Sequence, residues 1–229
     1  MPTGVSKDAG SMVKMAGRDG TPAVPEGGTP AGEAVVPLPA RPASAFAMGS
    51  AVIAVGAALV VVSMAAAHGT AGWLGAGLAL AMLAIAIVDG QHFLIPDPLN
   101  AAGLALGLAN SAILGQGDVV AAMAGATLRA AILALSFFAL RLIYARLRGR
   151  DGIGLGDVKL AAVAGIWLDW SVMPIAVEIA ALSALFIYAL RRYVLRHPLL
   201  SSSRLPFGLY FAPAIWIGWL LQTKSMQGW

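Results

Sequence analysis

The sequence predicts an all-α fold of about seven membrane-spanning helices behind an N-terminal tail. Three observations lead there. Of its 229 residues, 59% are hydrophobic and only 11% are charged, where a soluble domain carries about a quarter charged residues. The mean hydropathy of +0.81 comes from apolar runs long enough to approach the roughly 30 Å thickness of a hydrocarbon layer. Lys and Arg fall in alternate connections between those runs, as in a chain threaded repeatedly through a bilayer.

Residues 1–44 are rich in Gly, Pro and Ala with scattered charges. Such a stretch buries too little apolar surface to order itself. Its length and polar start do not suit a signal peptide, so a disordered cytoplasmic tail is expected. Apolar segments follow at 45–67, 71–89, 99–114, 119–143, 157–170, 172–190 and 206–222, leaving a short tail at 223–229. The third and fifth are short for a bilayer and are expected to begin within protein-lined space. Gly103 and Gly107 give the third a GxxxG spacing suited to close helix packing. Trp167, Trp170, Trp216 and Trp219 suit packing and interfacial anchoring, with no catalytic part.

Arg41 precedes the first span, Arg146, Arg148 and Arg150 lie between the fourth and fifth, and Arg191, Arg192, Arg196 and Arg204 between the sixth and seventh. The connections at 68–70, 115–118 and 169–171 contain no Lys or Arg. With the N-terminus in the cytoplasm, all three basic regions share one side and only Lys224 falls on the other. The 90–98 and 146–156 loops are then both cytoplasmic.

The net charge of +4 invites a nucleic-acid reading. Basic loops on one membrane side account for it more simply, and no nucleic-acid partner is expected. The absence of cysteine excludes disulfides, thiolate metal sites and a Cys nucleophile. His68, His92 and His197 lie in three different loops, so neither a metal nor another cofactor is expected.

Two segments carry candidate chemistry. In Val88-Asp89-Gly90-Gln91-His92-Phe93-Leu94-Ile95-Pro96-Asp97-Pro98, Asp89 ends an uncharged span. Pro96 and Pro98 stop the helix and force an extended turn, and Asp97 is placed to start the third span. In Gly152-Ile153-Gly154-Leu155-Gly156-Asp157-Val158-Lys159-Leu160, three alternate glycines permit close backbone approach. Asp157 then falls in the opening turn of the fifth helix, where the helix dipole favours a carboxylate. By the topology above, both acids stand at one membrane face. Two facing carboxylates cannot both ionise cheaply and tend to share a proton. The ionised member takes a proton from water as the water attacks a peptide carbonyl, and the protonated member supports the oxyanion and the leaving amine. Which Asp plays which part is left open, and the two titrate as one unit.

These motifs resemble those of bacterial prepilin peptidases. Asp89 followed by Ile95-Pro96-Asp97 is similar to that family's first catalytic motif. Gly154-Leu155-Gly156-Asp157-Val158-Lys159-Leu160 is similar to its second, the GxGD motif shared more loosely with presenilin-type proteases. Ala164-Gly165-Ile166-Trp167-Leu168 continues the similarity, and Pro206-Phe207-Gly208 resembles the family's PFG stretch. The resemblance covers roughly residues 45–222. It implies a six-helix GxGD core plus one upstream helix, catalysis by Asp89 and Asp157, and a site shaped by Gly154, Gly156, Lys159, Ile95, Pro96 and Asp97. It also implies cleavage of the basic leader of type IV prepilins or pseudopilins, for type IV pili or type II secretion. The cut would fall just after a Gly, at the cytoplasmic face of a bacterial inner membrane. Many members carry a zinc-binding domain with two Cys pairs and also N-methylate the new pilin terminus; lacking Cys, this chain is expected to hold no zinc, and methyltransferase activity is doubtful. Leu209 stands where the family has Pro, and Asp169 where Gly is usual.

Blander readings compete. Asp89 could be an interfacial acid, and Asp157 a helix-start acid paired with Lys159 or a nearby Arg. Lys159 could tune the acid pair or be a cytoplasmic-side lysine, and His92 reads as a solvated loop residue. Arg129 and Glu178, the other charges inside spans, are expected to pair structurally. A proton-coupled transporter relaying through Asp89 and Asp157 is the alternative function, but the two halves show none of the symmetry such folds carry. A scaffold with a dead site is a third, against which stands the presence of both acids.

Overall fold

The computed structural model describes residues 43–115, 117–149, 152–194 and 206–227. The expected tail over 1–44, with Arg41, falls almost wholly outside them, as do Arg150, Arg196, His197 and Arg204. Among the described residues the fold is all helical: α1 (Ala43–Ala66), α2 (Thr70–His92), α3 (Asp97–Leu114), α4 (Val119–Arg148), α5 (Leu155–Trp167), α6 (Met173–Ala189) and α7 (Phe207–Gln227). A π-helical turn, Leu190–Val194, prolongs α6.

The starts and stops follow local chemistry. Pro98 and Pro174 occupy opening positions of α3 and α6, where a missing N–H is no loss. Asp118 caps α4, its carboxylate accepting from the Ala121 N–H at 2.9 Å. Gly149 ends α4 in the left-handed region at φ 65. The fourth segment therefore runs past its expected end at 143, carrying Arg146 and Arg148 in a last turn whose dipole favours them. Likewise α7 continues past 222 to Gln227.

Helices α1, α2, α4 and α6 are long and apolar enough to cross a membrane, and the chain is a multi-pass membrane protein. Most of α1, α4 and α6 turns apolar side chains outward: Ile53, Val61, Leu135, Leu185 and Phe186 are all exposed, as a lipid-facing surface requires. Helix α5 is different. It has 13 residues, and Leu160, Ala161, Val163, Ala164 and Leu168 at its C-terminal cap are fully buried. It is shielded by α3, α4 and α7, in line with the protein-lined setting expected for a short segment. The core lies between α2, α5 and α7, where Leu78, Met82, Ile85, Phe211 and Ile215 are buried completely or nearly so. Helices α2 and α5 share no extended contact; α3 and α7 each pack on both.

Small residues let these helices approach. A Cβ on Gly165 would lie 2.6 Å from the Ala130 Cα and the Arg129 carbonyl oxygen, so α4 and α5 touch through backbone. Gly107 meets Ile166 and Trp167, and Gly103 meets Val163, so the GxxxG of α3 serves packing within the chain. Trp167 is buried, donates to the Gly103 carbonyl at 2.9 Å, and stands edge-on to Trp219 at 6.4 Å. The Trp216 indole N–H donates to Ser63 Oγ at 3.0 Å. Trp170 is exposed, leaving the anchoring role to it among the four.

The expected pairing of Arg129 with Glu178 does not form. Arg129 lies 3.7 Å from Asp169, just past α5, while Glu178 is exposed on α6. The reason is architectural: α4 packs on α3 and α5, whereas α6 packs on α7. Asp169 is held there by its own N–H, which donates to Gln222 Oε1 at 2.8 Å. A double-mutant cycle between Arg129→Gln and Asp169→Asn should give a coupling of about 0.5–1 kcal/mol, and the same cycle with Glu178→Gln none beyond error. Thermal unfolding in detergent should show Gly165→Ala destabilised by about 1–3 kcal/mol, because two backbones must part to admit one methyl group.

Candidate functional site

Helices α2, α4 and α6 end, and α3, α5 and α7 begin, at one end of the bundle. Asp89 belongs to the last turn of α2, and its carbonyl accepts from the Phe93 N–H at 2.9 Å as the helix stops. Phe93 holds φ 53, the one left-handed non-glycine among the described residues, a conformation that costs about 1–3 kcal/mol. That reversal turns the chain so that Ile95 points inward, 7% exposed, while Phe93 and Leu94 face out. Pro96 then stands at the cap of α3 and Asp97 in its first turn.

Ile95 is wedged between the two other motifs. A Cβ on Gly156 would lie 3.0 Å from the Ile95 Cβ, and one on Gly208 would lie 2.8 Å from its Cδ1. The same Gly208 position is 2.9 Å from Asp89 Oδ2, so only a glycine admits the carboxylate so close to the start of α7. Asp89 is itself buried at 4% exposure. Its Oδ2 accepts from the Leu209 N–H at 2.9 Å. A proline at 209 would have no hydrogen to give.

Asp157 is the third residue of α5 and half-buried. Its Oδ2 accepts from the Gly154 N–H at 3.0 Å, satisfying one of the orphan donors of the helix start. Gly154 has no side chain, so only this half of a capping box forms. Asp89 and Asp157 are brought to one place through Ile95, which abuts Gly156 beside Asp157 and Gly208 beside the Asp89 carboxylate. A pair of carboxylates, one buried and one half-buried, with amide donors already in place can hold a shared proton and orient a water.

Lys159 belongs to this end but not to the pair of acids. Its Nζ bonds Asp97 Oδ1 at 2.6 Å, with both side chains largely exposed, and it makes no ion pair with Asp89 or Asp157. Of the two readings of Lys159, the geometry favours the solvated lysine. His92 is the last residue of α2 and exposed. Arg146, Arg148, Arg191 and Arg192 all stand at the same end as the two aspartates. The Leu209 amide was not among the sequence candidates: PFG marked the place, but a backbone donor leaves no trace in residue identity.

The described helices thus make a multi-pass membrane protein with two acids, Asp89 and Asp157, at the end where three helices stop and three begin. The comparisons with known proteins define it further. The chain belongs to the type IV leader peptidase family, whose model matches residues 76–189 and so spans both acids. Over 174 residues it is 32% identical to the prepilin leader peptidase/N-methyltransferase of Aeromonas hydrophila, covering 74% of this chain and 56% of that protein. Over 141 residues it is 33% identical to the protein of that name from Pseudomonas aeruginosa, covering 61% and 46%. A Burkholderia pseudomallei counterpart is 33% identical over 140 residues, covering 59% and 42%. The chain thus spans about half the length of the curated relatives it matches. No solved structure gives a significant match.

If the Lys159–Asp97 bond is an ordinary surface ion pair, Lys159→Gln and Asp97→Asn should each cost under about 1 kcal/mol in thermal unfolding. The loss should shrink further in 1 M salt, where the screening length falls to about 3 Å.

Proposed function

We propose that this protein is an aspartic endopeptidase that removes the leader peptide of type IV prepilins or pseudopilins at the cytoplasmic face of a bacterial inner membrane. The observation that carries the reading is the joint setting of Asp89 and Asp157: two acids from distant segments, held at one end of the bundle by the Gly156–Ile95–Gly208 contact. The relatives are named prepilin leader peptidases, and the basic residues gathered at the dyad's end support a cytoplasmic orientation.

In this mechanism Asp89 and Asp157 share one proton. The ionised carboxylate takes a proton from a water between them, and the oxygen attacks the carbonyl carbon of the substrate's glycine. The protonated partner donates to the oxyanion, and the amide C–N bond breaks as its nitrogen takes up a proton. The amides of Leu209 and Gly154 hold the carboxylates in register throughout, so that little reorganisation accompanies the reaction. The activity proposed is peptide cleavage alone.

Co-expression with a precursor pilin from the same genome provides the test. The wild type should give a shortened pilin, and Asp89→Asn and Asp157→Asn should each give none. Gly208→Ala, by displacing Asp89, should lower cleavage by at least about tenfold. Proton flux that depends on both aspartates while the pilin stays uncut would replace this reading with the transporter.

A further inference from the structure

Asn100 is buried to 2% exposure, yet neither its Nδ2 nor its Oδ1 reaches a hydrogen-bond partner among the described residues. Leaving both ends of a carboxamide unpaired in an apolar interior is costly, and such groups call for a physical explanation.

Its neighbours fix its level in the bundle. On α3, Gly103 lies against Met82 of α2 and Val163 of α5, Gly107 lies against Ile166 and Trp167, and Asp97 is joined to Lys159. Thus α3 runs beside α5 in the same direction and opposite to α2. Asn100 shares the Gly103–Gly107 face by its spacing of three and seven residues. It therefore sits at the level of Ile85 and Leu160, both fully buried and without a polar side-chain atom to offer. One turn nearer the helix ends stand Asp89, four residues after Ile85, and Asp157, three before Leu160. In a helix the Cα–Cβ bond tilts toward the N-terminus. On α3 that direction is toward the two acids.

We propose, resting on the reading of Asp89 and Asp157 as the catalytic pair, that Asn100 is a positioning residue for it. Its carboxamide holds a water one turn beneath the carboxylates, and that water donates to one of them. The dimensions suit a single water: one helical turn is about 5.4 Å, and two hydrogen bonds end to end span about 5.6 Å. Asn is suited to the task, since it can donate to the water or accept from it without adding charge. The held water fixes a carboxylate oxygen from below while the Leu209 amide fixes Asp89 from the α7 side.

The experiment is steady-state cleavage of a purified precursor pilin by detergent-solubilised full-length protein, with thermal unfolding measured alongside. Asn100→Leu should unfold at or above the wild-type temperature, because it puts an apolar side chain of similar size where the surrounding helices offer a carboxamide no partner. Its kcat should fall by about ten- to a hundredfold, the worth of a hydrogen bond to a charged group, with KM within about twofold. Asn100→Thr, whose hydroxyl can hold the same water, should recover most of that loss. Wild-type kcat in Asn100→Leu, or Asn100→Thr impaired as deeply as Asn100→Leu, would overturn the inference. Should Asn100→Leu not accumulate, Asn100→Ala is read by the same criteria. A wild type that cuts nothing overturns the peptidase reading and this inference together; a cutting wild type with an unimpaired Asn100→Leu overturns this inference alone.

Discussion

Ile95 is the spacer on which the geometry of this end of the molecule depends. Helices α2 and α5 share no extended contact, so nothing in their own packing sets how far Asp89 stands from Asp157. That distance is set indirectly, by one branched side chain pressed between Gly156 and Gly208. Backbone on both flanks makes the contact stiff, since neither glycine has a side chain that could rotate away. The left-handed turn at Phe93 belongs to the same device: it aims Ile95 inward within a connection of only four residues. Its conformational cost is offset in part by the bond from the Phe93 amide to the Asp89 carbonyl.

The rest of the bundle uses the same means. In lipid there is little hydrophobic gain from bringing two apolar helices together, so association relies on close van der Waals fit and a few interhelical hydrogen bonds. Gly75 against Trp219, Gly107 against Trp167 and Gly165 against Ala130 each place a large side chain or a second backbone where a Cβ would otherwise be. The indole bonds of Trp167 and Trp216 tie α5 to α3 and α7 to α1. The apolar exposed faces of α1, α4 and α6 are what a lipid-solvated protein presents, so the contrast between outside and core is one of packing density more than of polarity.

Much of this was legible in the sequence because the bilayer imposes coarse rules. Apolar run length locates all seven helices, and the alternation of basic connections puts Asp89 and Asp157 at one end. Boundaries drifted where polar residues continue a helix, as at Arg146 and Arg148 in α4, because hydropathy marks the lipid-facing part of a helix and not its end. The partner of Arg129 differs from expectation for another reason. Both Arg129 and Glu178 are charges inside apolar segments, but which helices are neighbours is decided by side-chain fit, and that puts Asp169 beside Arg129 instead. The Leu209 amide and the register of Asn100 were beyond reach of the sequence, since both depend on how α7 and α3 lie against α2.

The brevity of α5 bears on how the protein is assembled. A helix of 13 residues, about 20 Å long, is too short to be retained by a bilayer on its own account. It carries Asp157 and Lys159 besides, which raises the cost of entering hydrocarbon. It therefore has to be received by a groove that other helices have already built. Because α3 and α4 precede it in the chain and line much of that groove, the order of synthesis supplies the receptacle before its occupant, and one of the two acids reaches its station only when this docking is complete.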